Sequence, residues 1–154
     1  MRRDHWLRVL LGILIVSSLL TGAWAEIAPR AFYMNFPTSG LHWVASGGPY
    51  DQHLVRDVGS LNFALATMAV VAFIRLDMNT VRVVAGGFFV FSAVHVAYHL
   101  ESPLTSNASQ FLQVVALFVP VVVALFILLL RWPRSLQHSI REAHRRPGRQ
   151  GFEL

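Results

Sequence analysis

Residues 111–130 read FLQVVALFVPVVVALFILLL and contain no charged side chain. A helix needs about 20 mostly apolar residues to cross the hydrocarbon core of a bilayer, with about 17 as the lower limit. A helix on the surface of a soluble protein shows a polar face at the 3.6-residue period, and this run shows none. The stretch therefore predicts a membrane-spanning helix, which Pro120 should kink near its centre.

Three further apolar runs of similar length precede it, at residues 9–25, 58–74 and 83–100. Only 14% of the 154 residues are charged, whereas a soluble domain carries about a quarter. A backbone in lipid must satisfy its own hydrogen bonds, so each run should be helical. The sequence predicts an all-α, polytopic membrane four-helix bundle over residues 1–132, followed by a basic tail at 133–154. The predicted spans are about 8–25, 57–75, 82–100 and 111–131.

The arginines indicate how the helices cross the membrane. Eleven of the thirteen basic residues lie before the first span, between the second and third, or after the fourth, and only Arg30 and Arg56 lie elsewhere. Loops rich in Lys and Arg stay in the cytoplasm. We therefore expect a multi-pass protein of the bacterial cell membrane with both termini cytoplasmic and the loops at 26–57 and 101–110 outside.

The two ends of the chain carry further expectations. Arg2 and Arg3, an apolar stretch and then Ala23-Trp24-Ala25 imitate a cleavable signal peptide, and cleavage would leave three spans with the same orientation. After residue 132, apolar residues recur at helical spacing among Arg and His, which predicts a short basic helix on an anionic membrane surface. Membrane topology already accounts for this charge, so we expect no nucleic-acid partner.

The loop at 26–57 contains several Gly and Pro residues and should not be one regular element. It is also rich in aromatic residues, which a disordered linker would lack. We expect an irregular but folded aromatic cap on the outer ends of the helices.

Two polar clusters interrupt the apolar pattern. One precedes and opens the second span, and the other closes the third. His95 and His99 are four residues apart and should share a helix face with Phe88 and Ser92. A short turn makes the second and third spans antiparallel neighbours, so both clusters should reach the same depth. The candidate pocket comprises His42, His53, Arg56, Asp57, His95, Tyr98, His99 and Glu101.

Several interpretations of these residues remain open. They could be purely structural, with Arg56 paired to Asp57 or Glu101. They could bind a small polar or lipid-soluble ligand, with histidine exchanging a proton. They could also bind a divalent metal through His53, His95 and His99, because two histidines at i, i+4 can ligate one ion. Haem and quinone are further cofactor alternatives. The chain has no cysteine, which excludes disulfides and thiolate ligands.

Four other residue patterns carry structural expectations. Asp57 could be a helix cap. Asn62 and Thr67 are expected to form hydrogen bonds between helices, and Gly86-Gly87 to allow close helix packing.

Several short motifs carry a resemblance to known proteins. They are His42-Trp43, Gly48-Pro49-Tyr50, the run from His53 to Gly59, and His95 with Tyr98-His99. With the four spans, they resemble a group of small four-span integral membrane proteins of actinobacteria whose function is not established, and the layout is loosely similar to the DoxX-like superfamily. The DoxX-like resemblance implies association with membrane redox or quinone-linked systems.

Together these observations predict a ligand-binding protein, or an accessory of a membrane redox complex, whose partners are the lipid bilayer and a membrane protein. The alternative is a membrane enzyme or metal-binding protein acting on a lipid-phase substrate.

Overall fold

The computed structural model describes residues 2–101 and 108–130. Within these residues the chain forms helices and no strand. In chain order they are α1 (Arg2–Ile27), α2 (Pro29–Asn35), a 3-10 turn (Ala45–Gly47), α3 (Gln52–Arg75), α4 (Met78–Glu101) and α5 (Ala108–Leu129). Helices α1, α3, α4 and α5 are each long and apolar enough to span a membrane. The predicted fold class, an all-α membrane bundle with four spans, is confirmed. The predicted tail at 133–154 lies outside the described residues.

The long helices form two pairs, in which α1 packs along α3 and α4 packs along α5. The pairs are joined where α3 turns into α4. Leu76 adopts a left-handed conformation that ends α3, and its N–H donates to the Ala72 carbonyl at 2.9 Å. The turn is short, so α3 and α4 are antiparallel neighbours, as predicted.

One apolar core joins both pairs. Its buried members come from the first half of α1, the second half of α3, the first half of α4 and the second half of α5, which all lie at the same end of the bundle. They are Leu7, Leu11, Leu14, Leu65, Ala69, Ala72, Met78, Val81, Val84, Ala85, Phe88, Ala124 and Ile127. No described side chain of α5 before Pro120 is buried. The four helices therefore share a core in only one half of their length.

We call the end with this core the arginine end, because Arg8, Arg75 and Arg82 lie there. The Arg8 guanidinium donates to the Phe73 carbonyl at 3.3 Å and lies over the Phe73 ring. Arg82 donates to the Leu130 carbonyl at the end of α5 at 3.4 Å, where the helix dipole favours a cation.

Asp77 caps α4 at the same end. Its carboxylate accepts a hydrogen bond from the Thr80 N–H at 3.0 Å. This bond lowers the pKa of Asp77, because it stabilises the ionised carboxylate.

The opposite end, which we call the cap end, carries the long loop as a folded cap. Phe32 of α2 is buried against Ala25 of α1 and Val55 of α3. The Phe32 ring also packs against Trp24 and Phe36, with centroids 5.9 and 4.7 Å away. The predicted aromatic cap is present, and it contains one regular element that was not expected, the two-turn helix α2.

Two glycines let α1 and α3 approach closely. A Cβ at Gly22 would lie 3.1 Å from the Gly59 carbonyl oxygen, and a Cβ at Gly59 would lie 2.8 Å from Cγ of Glu26 and 3.2 Å from its backbone nitrogen. The expectation for Gly86 and Gly87 is wrong, because a Cβ at either would meet nothing within 4 Å. Close packing depends on which side of a helix meets its neighbour, and a Gly pair does not reveal that.

This contact predicts the effect of one substitution. Gly59→Leu should lower the free energy of unfolding by about 1–3 kcal/mol, the usual cost of overpacking, because the side chain would collide with α1. The measurement is the thermal midpoint of the purified protein in detergent. Gly87→Leu is the matched control and should change the midpoint little, since that position is open. Equal midpoints for the two variants would contradict the close approach at Gly59.

Candidate functional site

The polar cluster of α3 begins at its N-cap. The Asp51 side chain accepts hydrogen bonds from the N–H groups of His53 and Leu54, at 2.8 and 3.1 Å. The helix therefore starts at Gln52, five residues before the predicted span, and Asp51 is the cap instead of Asp57. Asp57 instead pairs with His53 one turn earlier, with Nδ1 and Oδ2 3.0 Å apart.

This cluster faces away from the bundle. The buried stripe of α3 at the cap end consists of Val55, Gly59 and Asn62. His53 and Asp57 lie on another side of the helix, with side chains 85% and 60% exposed. Arg56 is also exposed, and within residues 2–101 and 108–130 it forms no ion pair with Asp57 or Glu101.

The histidines of α4 face a different environment. Phe88, Ser92 and Val96 form the buried stripe of this helix, and His95 and His99 continue it towards the cap end at helical spacing. Nevertheless His95 is exposed and His99 only half-buried. The two lie beyond the shared core, which ends at Phe88 on α4.

Aromatic contacts organise this part of α4. The imidazoles of His95 and His99 have centroids 4.9 Å apart in an edge-on arrangement, and the Phe91 ring stacks on His95 at 6.0 Å. Tyr98 is exposed and contacts the edge of His99 at 5.4 Å. We call His95 and His99 the histidine pair.

The other predicted site residues lie apart from this pair. Glu101 is the exposed last residue of α4. His42 is in the cap, where its Nδ1 hydrogen-bonds with the Met34 carbonyl. No hydrogen bond or ion pair between described residues joins His53, Arg56 or Asp57 to α4. The expected convergence of the α3 cluster with the α4 cluster is therefore absent from the contacts of the described chain.

The predicted metal ligands His53, His95 and His99 do not come together in the structure. In the part of the chain that the structure describes, no three His, Asp or Glu side chains gather in a group that could hold a metal ion. The expected set of His53, His95 and His99 does not form, because His53 lies on the exposed side of α3 with Asp57. What remains is the two-residue pair on α4, which by itself offers two ligands.

A second polar group was not predicted as a site. Ser18, Asn62 and Ser92 are 4%, 8% and 5% exposed and face the interior from α1, α3 and α4. We call them the polar layer. The expected interhelical bonds of Asn62 and Thr67 are wrong, because Asn62 donates to Val58 and Thr67 to Phe63 within α3. The sequence did hold a signal for the layer, since each member lies one helical turn from an apolar core position.

The outer half of α1 also borders an open, largely apolar groove of about 650 Å³. The cap overhangs one side of it through Phe36 and Pro37. The remaining lining comes from α1 and the residue after it, namely Ser17, Leu20, Thr21, Ala23, Trp24, Ile27 and Ala28.

The cap also reaches the second helix pair. The Trp43 indole N–H donates to the Ser109 hydroxyl at the start of α5 over 3.0 Å. A backbone hydrogen bond holds Trp43 in place, since its main-chain N–H donates to the Phe36 carbonyl. The cap, which is packed on α1 and α3, is thereby linked to α5 where the four helices share no core.

Comparison with models of protein families, with curated proteins and with solved structures finds no match to this chain.

The link between the cap and α5 can be tested by removing one donor. Trp43→Phe keeps an aromatic ring but cannot donate to Ser109, so amide hydrogen exchange should accelerate in the second turn of α5, where the helix's own hydrogen bonds begin to protect the N–H groups. Loss of one hydrogen bond of about 0.5–1.5 kcal/mol corresponds to roughly a two- to thirteenfold change in local opening. Trp6→Phe, at the arginine end, is the matched control. Unchanged exchange at 112–116 in Trp43→Phe would show that the bond does not hold α5.

Proposed function

We propose that the protein is an integral membrane protein of the bacterial cell membrane that binds an amphiphilic ligand from the lipid phase, without itself being an enzyme. The ligand enters between the helix pairs at the cap end, and the histidine pair of α4 contacts its polar group. The observation that carries this proposal is that His95 and His99 lie on the same face of α4 as the buried Phe88, Ser92 and Val96, yet His95 is exposed and His99 half-buried.

Two physical arguments support this assignment. Ionisable residues within a membrane span are costly and usually mark a functional site. His95 and His99 make no hydrogen bond to any residue within 2–101 or 108–130, so their ring nitrogens remain able to donate to or accept from a ligand. An imidazole can do both at neutral pH, which suits a carbonyl- or hydroxyl-bearing molecule.

The closed arginine end supports binding over conduction. Leu14, Leu65 and Phe88 are almost completely buried below the histidine level. A ligand that enters at the cap end meets this apolar core and has no polar route past it. We therefore assign a binding or accessory role, beside a membrane redox complex as the DoxX-like resemblance implies.

The proposal also includes an orientation, with the cap end outside the cell and both termini in the cytoplasm. It is supported by the described arginines, of which Arg8, Arg75 and Arg82 lie at one end of the bundle and Arg30 and Arg56 at the other.

The ligand can be sought directly. Protein purified in mild detergent is extracted with organic solvent, and the extract is analysed by mass spectrometry. We expect a lipid-phase compound in near-stoichiometric amount from the native protein, and about tenfold less from a His95→Leu/His99→Leu variant, because two hydrogen bonds are lost. His53→Leu, on the exposed side of α3, is the control and should retain the compound.

Two results would contradict this function. One is equal recovery of the compound from the double variant and the control. The other is a stoichiometric transition metal in the native protein that the double variant lacks, which would favour a metal protein instead. Elemental analysis of the same preparations distinguishes these outcomes.

The orientation has a separate test, which uses the absence of cysteine. A single cysteine at Ser46, in the cap, should react with a membrane-impermeant maleimide added to intact cells. A cysteine at Asn79, at the arginine end, should react only after the membrane is permeabilised. The reverse pattern would invert the proposed topology.

A further inference from the structure

The polar layer stands where the shared core stops. Ser18 lies one turn beyond Leu14 on α1, and Ser92 lies one turn beyond Phe88 on α4. Asn62 lies one turn before Leu65 on α3, which runs in the opposite direction. Since Leu14, Leu65 and Phe88 are the outermost core members of their helices, the three polar residues lie within about one helical turn, 5.4 Å, of one level.

The antiparallel helix pair of α3 and α4 confirms this level independently. Asn62 is fourteen residues before Leu76, and Ser92 is fifteen residues after Asp77. At about 1.5 Å per residue, both lie roughly 21–23 Å from the turn. Pro120 of α5 stands at the corresponding place, four residues before the core residue Ala124.

Each member of the layer keeps hydrogen-bonding capacity unused. The hydroxyls of Ser18 and Ser92 bond to no residue within 2–101 or 108–130, and Asn62 uses only its Nδ2 group, on the Val58 carbonyl at 2.9 Å. In the same part of the chain, every side-chain nitrogen or oxygen that is fully inaccessible to solvent has a hydrogen-bond partner. The free oxygens of the layer therefore border a space that a water molecule can reach.

The polar layer lies between the apolar core on one side and the level of the histidine pair on the other. Leu14 is completely buried directly below the layer, as is Ala124 on α5. Towards the cap end the next inward-facing polar side chains of α4 are those of the histidine pair, and His95 is exposed. We call the region between the histidine pair and the layer the recess; the layer is its floor, and the apolar core lies below it.

We infer that Ser18, Asn62 and Ser92 bind an uncharged hydrogen-bonding group, a carbonyl or hydroxyl, at the innermost part of this recess. The inference rests on the proposed function, because it names the chemical class of the ligand that enters past the histidine pair. Hydroxyls donate and accept, and the Asn62 Oδ1 accepts, so the floor complements such a group. The nearest described charges towards the cap end, Glu26, Arg56 and Asp57, lie more than one turn further out, so an ion at the floor would be unpaired.

Thiol chemistry tests the recess, because the native chain has no cysteine. Single variants Ser18→Cys and Ser92→Cys are compared in nanodiscs with Leu14→Cys and Phe88→Cys, one turn deeper. Neutral methyl methanethiosulfonate should modify the two layer variants at least about tenfold faster than the deep controls, a ratio that corresponds to 1.4 kcal/mol. The anionic sulfonatoethyl and cationic trimethylammonioethyl reagents should react more slowly than the neutral one at the layer.

The class of ligand is tested by protection. At pH 8, 1-decanol should slow modification of Ser92→Cys, whereas decanoate, with the same chain and a charged head, should not. Serine to cysteine is nearly isosteric, and a monodisperse elution profile shows that each variant is folded. A second variant, Ser18→Ala in the Ser92→Cys background, should weaken the protection by decanol.

Three outcomes would overturn the inference. They are layer thiols no more reactive than the deep controls, charged reagents as fast as the neutral one, and protection by decanoate equal to that by decanol. The histidine variants separate this site from the proposed function. If the amount of compound recovered is the same from the native protein and from His95→Leu/His99→Leu, the proposed function fails. The reactivity of the layer thiols does not depend on that result, because it reports only whether reagents reach the recess.

Discussion

The structure depends on an apolar core that four helices share in only half of their length. Leu11 of α1, Val81 of α4 and Ile127 of α5 are completely buried in it, although they come from distant parts of the chain. Between helices in a bilayer the gain comes from close packing, because lipid is as apolar as the side chains. Where the packed side chains stop, after Leu14, Leu65 and Phe88, the helix pairs need other interactions to stay together.

At the cap end the two helix pairs are held in different ways. Gly22 and Gly59 bring α1 and α3 into backbone contact, and the rings of Trp24, Phe32 and Phe36 cover the top of this pair. The second pair, α4 and α5, contributes no member to this aromatic cluster. Its described hydrogen-bonded connection to the cap is the bond from Trp43 to Ser109. At the cap end the first pair is thus packed against the cap, and the second pair is joined to the cap by one described hydrogen bond.

This asymmetry explains where the polar groups are found. An ionisable or hydroxyl side chain is tolerated inside a bundle where water or a ligand can reach it. The polar layer and the histidine pair occupy the positions that follow the last core residues, so their polarity coincides with the end of the apolar packing.

The four helices, the arginine-rich end and the shared face of His95 and His99 can all be predicted from the sequence. Run length, charge placement and the 3.6-residue period act within one segment, so they can be read without a partner. The direction in which each face points was decided by the tertiary structure. Contact between Gly59 and α1 directs His53 and Asp57 outwards, and the shared core ends before His95, which is exposed. Such orientations depend on how one helix packs on another, and no single segment of sequence contains that information.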